Sequence, residues 1–407
     1  MERPPAAVKG QNNLARARAL KFVLLFGVVS FFADFTYESS RSIVGPYLAV
    51  LGASATVVGV SAGFGELLGY ALRLVSGRLS DRTGEYWPIT LIGYLIQLTS
   101  VPLLALTGNW QSAIALIIIE RIGKAIRNPP RDVMISHAAK EMGYGWGFGV
   151  HEALDQFGAL CGPLAIALIL SLRGREEHFA AKDDYHFVFA LLFIPALTCL
   201  SILLAARFLY PRPEEMEAHP PDLKARGLPR VFWVYLAGAA LVAAGSADFS
   251  LMAFHFEKSS SVPDKWVPIF YAIAMGVSGT GSLLFGRLFD RVGISILVPL
   301  TVLAALSAPL VFLGGFWAAL AGSALWGLGM GVHESIVPAA VAPMVSPQRR
   351  ASAYGLFTAG YGISWFLGSA LMGWLYDLSL PALIVFSMTA ELAAIPLFFL
   401  AARPSQA

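Results

Sequence analysis

Glu120, Lys124, Arg127 and Arg131 follow one another at i, i+4, i+7 and i+11, with Arg121 and Asn128 on the flank of the same stripe. In a helix that spacing puts them on one face. Asp34, Glu38 and Arg41 repeat the pattern at i, i+4 and i+7, and His151 stands one turn before Asp155 on a face shared with Gly158 and Gly162. Cations, carboxylates and imidazoles so arranged hold ions and exchange protons, and a histidine one turn from a carboxylate can relay a proton. Glu66, Arg73, Glu152, Asp248 and the pair His333-Glu334 add ionisable groups within apolar surroundings, while Glu391 has no obvious partner. His333 and Glu334 are the acid–base candidates deep in the second half of the chain. Motifs for bond-making chemistry are absent: there is no Walker loop, no G-x-S-x-G elbow, no HExxH and no paired CxxC. Cys161 and Cys199 both fall in apolar runs, which excludes a disulfide framework or a CxxC metal site. The chemistry expected of these groups is ion pairing and proton exchange, with no cofactor and no ATP-driven step.

The elements that position these groups follow from composition. Of 407 residues, 57% are hydrophobic and only 14% are charged, where roughly a quarter charged is usual for soluble domains. A chain so poor in charge cannot cover itself in water and belongs in a bilayer. Its formal charge of +3, from 29 basic and 26 acidic residues, is too small and too dispersed for nucleic-acid binding. Long apolar runs, rather than ten-residue alternation, predict helices and not a barrel. The runs from Tyr86 to Ile119 and from Val292 to His333 contain no Asp, Glu, Lys or Arg. Thr107-Gly108-Asn109-Trp110 and Gly314-Gly315 break them into hairpins. With such breakers the chain divides into twelve spans, near 21–47, 55–79, 87–107, 111–132, 146–170, 186–208, 231–254, 266–288, 294–314, 317–342, 351–376 and 381–401.

Eighteen lysines and arginines fall in the segments on one side of this map and five on the other, so both termini are expected in the cytoplasm. The first span lacks a small-residue cleavage site and is expected to be retained. Five prolines and several charges mark 209–230 as a cytoplasmic linker. The expected organisation is a cytoplasmic segment 1–20, a six-helix half 21–208, the linker, a second six-helix half 231–401 and a tail 402–407. A charge at mid-bilayer is costly unless it faces protein or water, so the stripes must point inward. Arg127 and Arg131 lie nearer the cytoplasm, where snorkelling to the interface is expected. Asp34 and Arg121 are matched in depth and sign and are the expected ion pair, either as a coupling site or as a structural bridge between two helices.

A repeat joins the halves. Gly77-Arg-Leu-Ser-Asp-Arg-Thr-Gly84 returns as Gly286-Arg-Leu-Phe-Asp-Arg-Val-Gly293, six of eight positions identical at an offset of 209. Both copies follow the second span of their half on the same side, as parallel repeats require. These loops resemble the G-x-L-x-D-R-x-G signature of the major facilitator superfamily, although Glu85-Tyr86-Trp87 stands where that signature has a basic tail. In the fifth span, Gly149, Gly158, Gly162 and Pro163 fit G-(x)8-G-(x)3-G-P, which resembles the antiporter motif of proton-coupled exporters in that superfamily. Arg121 resembles the buried arginine that those exporters carry in the fourth span.

The resemblance implies an all-α membrane protein of twelve helices in two pseudo-symmetric halves, moving a small or ionic solute by alternating access. It further implies that the first, fourth, seventh and tenth spans line a central cavity. Gly77, Asp81, Arg82, Gly84, Gly286, Asp290 and Arg291 would form the conformational switch, with Arg82 pairing an acid such as Asp132. The glycines of the fifth span would sit where the halves rock. Export driven by proton entry is the expected mechanism, with the proton taken by one of Asp34, Glu38, Asp155 or Glu334, and Arg121 holding the empty carboxylate or an anionic part of the solute. An importer or uniporter of the same fold, or a non-transporting sensor, is the alternative. The expected setting is the cytoplasmic membrane, as a monomer in lipid. The charge of the solute stays open, because the fourth span adds four cations and one acid while the other spans add several acids.

Overall fold

A computed structural model describes residues 6–142, 144–173, 182–211, 228–344 and 350–402. For Asp81, Gly149, Glu152, Gly286, Asp290, His333 and Glu334 only the backbone is described, so what was expected of their side chains lies outside the described residues, as does most of the linker.

Every regular element among the described residues is helical. In chain order these are α1 (Ala6–Val50), α2 (Ala55–Thr83), α3 (Tyr86–Leu103), α4 (Trp110–Met142), α5 (Tyr144–Arg173), α6 (Lys182–Leu191), α7 (Phe193–Leu209), α8 (Arg230–Gly245), α9 (Phe249–Ser259), α10 (Val267–Val292), α11 (Leu297–Ala305), α12 (Ser307–Leu313), α13 (Phe316–Ala339), α14 (Val341–Met344), α15 (Arg350–Leu378) and α16 (Leu380–Ala402). Among the described residues, eight helical stretches are long and apolar enough to cross a membrane, including Ala17–Val50, Tyr86–Leu106, Lys182–Leu209 and Leu380–Ala402. The charged stripe from Glu120 to Arg131 keeps α4 out of that group.

Local sequence sets the helix ends. Ser54 caps α2 by accepting a hydrogen bond from the Val57 N–H, and Gly84 ends it at φ 69°, its N–H bonded to the Ser80 carbonyl. Gly293, the repeat partner of Gly84, ends α10 at φ 64°. Both glycines hold a backbone conformation that other residues rarely adopt.

The stretch expected as one continuous seventh span is interrupted. Helix α8 stops at Gly245 and α9 begins after Asp248, whose carboxylate caps it by accepting the Ser250 N–H at 2.9 Å. A break inside the hydrocarbon layer is tolerated only where protein satisfies the freed backbone. Here Ser387 donates to the Gly245 carbonyl at 2.6 Å and Trp326 Nε1 to that of Ala247 at 2.7 Å.

Helices α1–α7 meet α8–α16 along α1 with α9, α2 with α15, and α5 with α10. A Cβ at Gly59 would overlap the Ser369 carbonyl oxygen, and one at Gly373 would lie 2.5 Å from that of Ala55, so α2 and α15 touch backbone to backbone. Gly158 and Gly162 do not serve this junction as expected. They abut the carbonyls of Phe31 and Phe35 on α1, so the fifth-span glycines set a close α1–α5 crossing within one set of helices.

Candidate functional site: a charged cavity at mid-depth

Tyr37, Glu38 and Arg41 of α1, Gly65 to Arg73 of α2, Arg121 to Ala125 of α4, Met330 of α13 and Tyr361 and Trp365 of α15 surround a cavity of about 320 Å³. That size falls within the range of small-molecule sites. Gly65 is ten residues from the start of α2 and Arg73 eighteen, so at 1.5 Å per residue the cavity lies roughly 15–27 Å from the Ala55 end. In a hydrocarbon core of about 30 Å this is mid-depth and beyond.

Three contacts join the two sets of helices on the Ala55 side. At the helix end, Asp377 of α15 accepts the N–H groups of Ala55 (3.0 Å) and Thr56 (2.8 Å) and the Thr56 hydroxyl (2.5 Å). Deeper, Arg41 pairs with Asp248 at 3.4 Å. Glu38 accepts a hydrogen bond from the Tyr271 hydroxyl of α10. Each joins groups more than 200 residues apart in the chain.

The expected pair of Asp34 with Arg121 is not formed. Arg121 binds Glu66 at 2.7 Å and lies 3.6 Å from its neighbour Glu120. Helix α2 runs beside α4 with Gly65 against the Arg121 stem, so Glu66 reaches the guanidinium first. Asp34 instead takes Arg127 at 3.5 Å. Six residues separate the two arginines, about 9 Å along a helix, which is the error in depth that the sequence map carried. Nor does Arg127 snorkel: it is fully buried, donating to Gln97 at 2.5 Å and to the Tyr94 hydroxyl at 2.9 Å. Gly93 and Gly123 bring α3 and α4 into backbone contact around it. Arg131 pairs with Asp132 at 2.7 Å, and no ion pair joins Arg82 to Asp132 among the described residues.

Of the residues expected at the site, Glu38, Arg41, Arg121 and Lys124 line the cavity. Glu120 lines a smaller adjoining space together with Arg41 and Arg121, and Asp248 stands behind Arg41. Asp34, Arg127, His151 and Asp155 are not on the cavity wall. His151 is buried against Ser30, with Nε2 2.7 Å from its hydroxyl. Sequence reasoning passed over Tyr37, Tyr70, Tyr361 and Trp365 because an aromatic residue in an apolar run reads as core. One signal was present: Glu66, Tyr70 and Arg73 stand at i, i+4 and i+7, the spacing that marked Asp34, Glu38 and Arg41. Lys124 Nζ lies 3.7 Å and the Arg121 guanidinium 5.1 Å from the centre of the Tyr37 ring, within cation–π range. Among the described residues no three His, Cys, Asp or Glu groups are placed to hold a metal. Fixed charges and rings so placed can bind a solute and respond to its charge.

The family model described as Major Facilitator Superfamily matches residues 26–333. An uncharacterized protein of Mycobacterium tuberculosis is 40% identical over 387 residues, covering 94% of this chain and 93% of its own length. An uncharacterized MFS-type transporter of Methanocaldococcus jannaschii is 25% identical over 394 residues, 93% of this chain and 94% of its own. Among solved structures, the nucleoside transporter NupG superimposes with a TM-score of 0.72 at 15% identity, covering 94% of this chain and 97% of its own. A bacterial homolog of the human lysosomal transporter Spinster, in an inward-facing and unoccupied conformation, superimposes at 0.62 with 16% identity and 95% coverage of each chain. The chain is thus a member of the Major Facilitator Superfamily, a multi-pass membrane transporter and not an enzyme.

Proposed function

We propose that this chain exports a small solute across the cytoplasmic membrane in exchange for entering protons, by alternating access of two six-helix halves. On this reading the halves span 21–208 and 231–401, both termini face the cytoplasm, and the conformation described is open to the inside. The observation that carries it is the placement of the closing contacts. Asp377 with Thr56, Asp248 with Arg41 and Tyr271 with Glu38 all join the two sets of helices between the Ala55 end and mid-depth, while the cavity is lined from both sets.

Glu38 is the proton carrier in this scheme. It faces the cavity and holds Tyr271 across the junction, so a proton arriving on it weakens a charge-assisted bond that helps keep the outer side shut. Arg121 with Glu66 supplies a fixed counter-pair. The repeated loops with their left-handed Gly84 and Gly293 turns, and with Asp81, Arg82, Asp290 and Arg291, form the switch on the opposite side.

The test is transport of a solute found by thermal-shift screening, in vesicles of both orientations. Accumulation in inverted vesicles with an acid interior, lost on adding a protonophore, is the expected result. Accumulation in right-side-out vesicles under an acid exterior would make the protein an importer, and movement only down the solute's own gradient would make it a uniporter.

A further inference from the structure

Resting on the transporter reading, we propose that the cavity takes an aromatic organic oxyanion, its anionic group held between Arg73 and Lys124 and its ring against the aromatic wall. The wall of the cavity carries Arg41, Arg73, Arg121 and Lys124 against Glu38 and Glu66. Two of the four cations are engaged, Arg41 by Asp248 and Arg121 by Glu66. Arg73 and Lys124 have no carboxylate within ion-pair distance among the described residues and lie over the rings of Tyr70 and Tyr37, so they are the two wall cations not paired with an acid.

Their position makes one site of the two. Ser76, one turn beyond Arg73 on α2, donates to the carbonyl of Ala125, the neighbour of Lys124 on α4, at 3.0 Å. Both side chains therefore emerge beside the same α2–α4 contact. Arg73 Nε is buried with no hydrogen-bond partner among the described residues. A buried guanidinium donor left without an acceptor is costly, and an oxyanion is the acceptor that fits its fork.

The other component is apolar and flat. Tyr70 and Tyr361 meet edge to face at 6.5 Å, and Trp365 follows Tyr361 at 5.8 Å. Tyr361 and Trp365 of α15 line the cavity together with Tyr70 of α2, over whose ring the Arg73 guanidinium lies at 5.5 Å. Such a chamber fits a ring carrying a negative group and disfavours one carrying a positive group, which would meet two cations not paired with an acid.

Naphthalene-2-sulfonate is a suitable probe, because it stays anionic at every working pH and carries no proton of its own. Calorimetry on the purified full-length protein compares it with the neutral naphthalene-2-sulfonamide, with trimethyl(2-naphthyl)ammonium and with the non-aromatic octane sulfonate. Sulfonate binding tighter than all three is expected. Arg73→Gln and Lys124→Gln should each weaken it about tenfold or more, while sulfonamide binding and melting temperature stay as in the parent. Four results would overturn the assignment: no saturable sulfonate binding below about 1 mM; tighter binding of the ammonium compound; octane sulfonate binding as tightly as the aromatic sulfonate; or equal loss of sulfonamide and sulfonate affinity in both variants. Counterflow in proteoliposomes separates this from the transport reading. Sulfonate that binds through Arg73 and Lys124 but never exchanges across the membrane sinks transport of this class and keeps the binding site. Exchange of the ammonium compound alone keeps the transporter and sinks the anion.

Discussion

At the scale of single residues, the structure separates two carboxylates that the sequence treated alike. Asp34 is locked with a fully buried Arg127, itself bound by Gln97 and Tyr94, whereas Glu38, one turn along, faces the cavity and the Tyr271 hydroxyl. Removing one member of a buried pair strands the other, at a cost of about 3–5 kcal/mol. Arg127→Met should therefore lower the melting temperature sharply, and Asp34→Leu combined with Arg127→Met should recover part of the loss. Glu38→Gln should do the reverse: little change in melting, retained solute binding, and no accumulation against a gradient. Should Asp34→Asn uncouple transport in a fully stable protein while Glu38→Gln still pumps, the roles assigned to the two acids are exchanged.

Among the helices, the two glycine-lined junctions have different consequences. The α1–α5 crossing at Gly158 and Gly162 lies within one set of helices, so Gly158→Val should force α5 away from the Phe31 carbonyl and destabilise the fold by about 1–3 kcal/mol. The α2–α15 junction joins the two sets, and its Ala55 end is a helix N-terminus capped by Asp377. Loss of a helix cap is worth about 1 kcal/mol, which shifts a two-state equilibrium about fivefold. Asp377→Ala should leave folding intact and raise the fraction open on the Ala55 side. Labelling of Ser61→Cys, which lines the small space beneath that end, by a membrane-impermeant maleimide added outside should accelerate by that factor. An unchanged rate would mean that Asp377 caps α2 without latching the halves.

For the whole molecule, orientation and switching are the quantities to measure. Lysine and arginine counts predict Ala218 in the cytoplasm and Lys182 and Ser260 outside. Reporter fusions should follow that pattern, and an opposite signal at either external position would break the twelve-span map. The repeated loop should govern interconversion: Asp81→Asn is expected to fold normally and to slow the exchange between inward-open and outward-open forms, with Asp290→Asn milder. Exchange at the parent rate would reduce the repeat to two well-placed glycine turns.

The sequence alone determined that the chain is helical, that it lies in a membrane and that its charged stripes must face inward, because each rests on composition or on the 3.6-residue period, which are local quantities. It also paired the two loops, since Gly84 and Gly293 share a motif 209 residues apart, while their positive φ came from the structure. Which charges meet was decided only by tertiary structure. Pairing depends on helix offset, and an offset of one or two turns, as between Arg121 and Arg127, is smaller than the error of any boundary read from hydropathy. The aromatic wall was hidden for a related reason. Tyr361 and Trp365 look like core until the packing of α2 against α15 leaves a chamber beside them. Which cations of that chamber are ion-paired had to wait for the same packing, because it depends on which of them Glu66 and Asp248 reach.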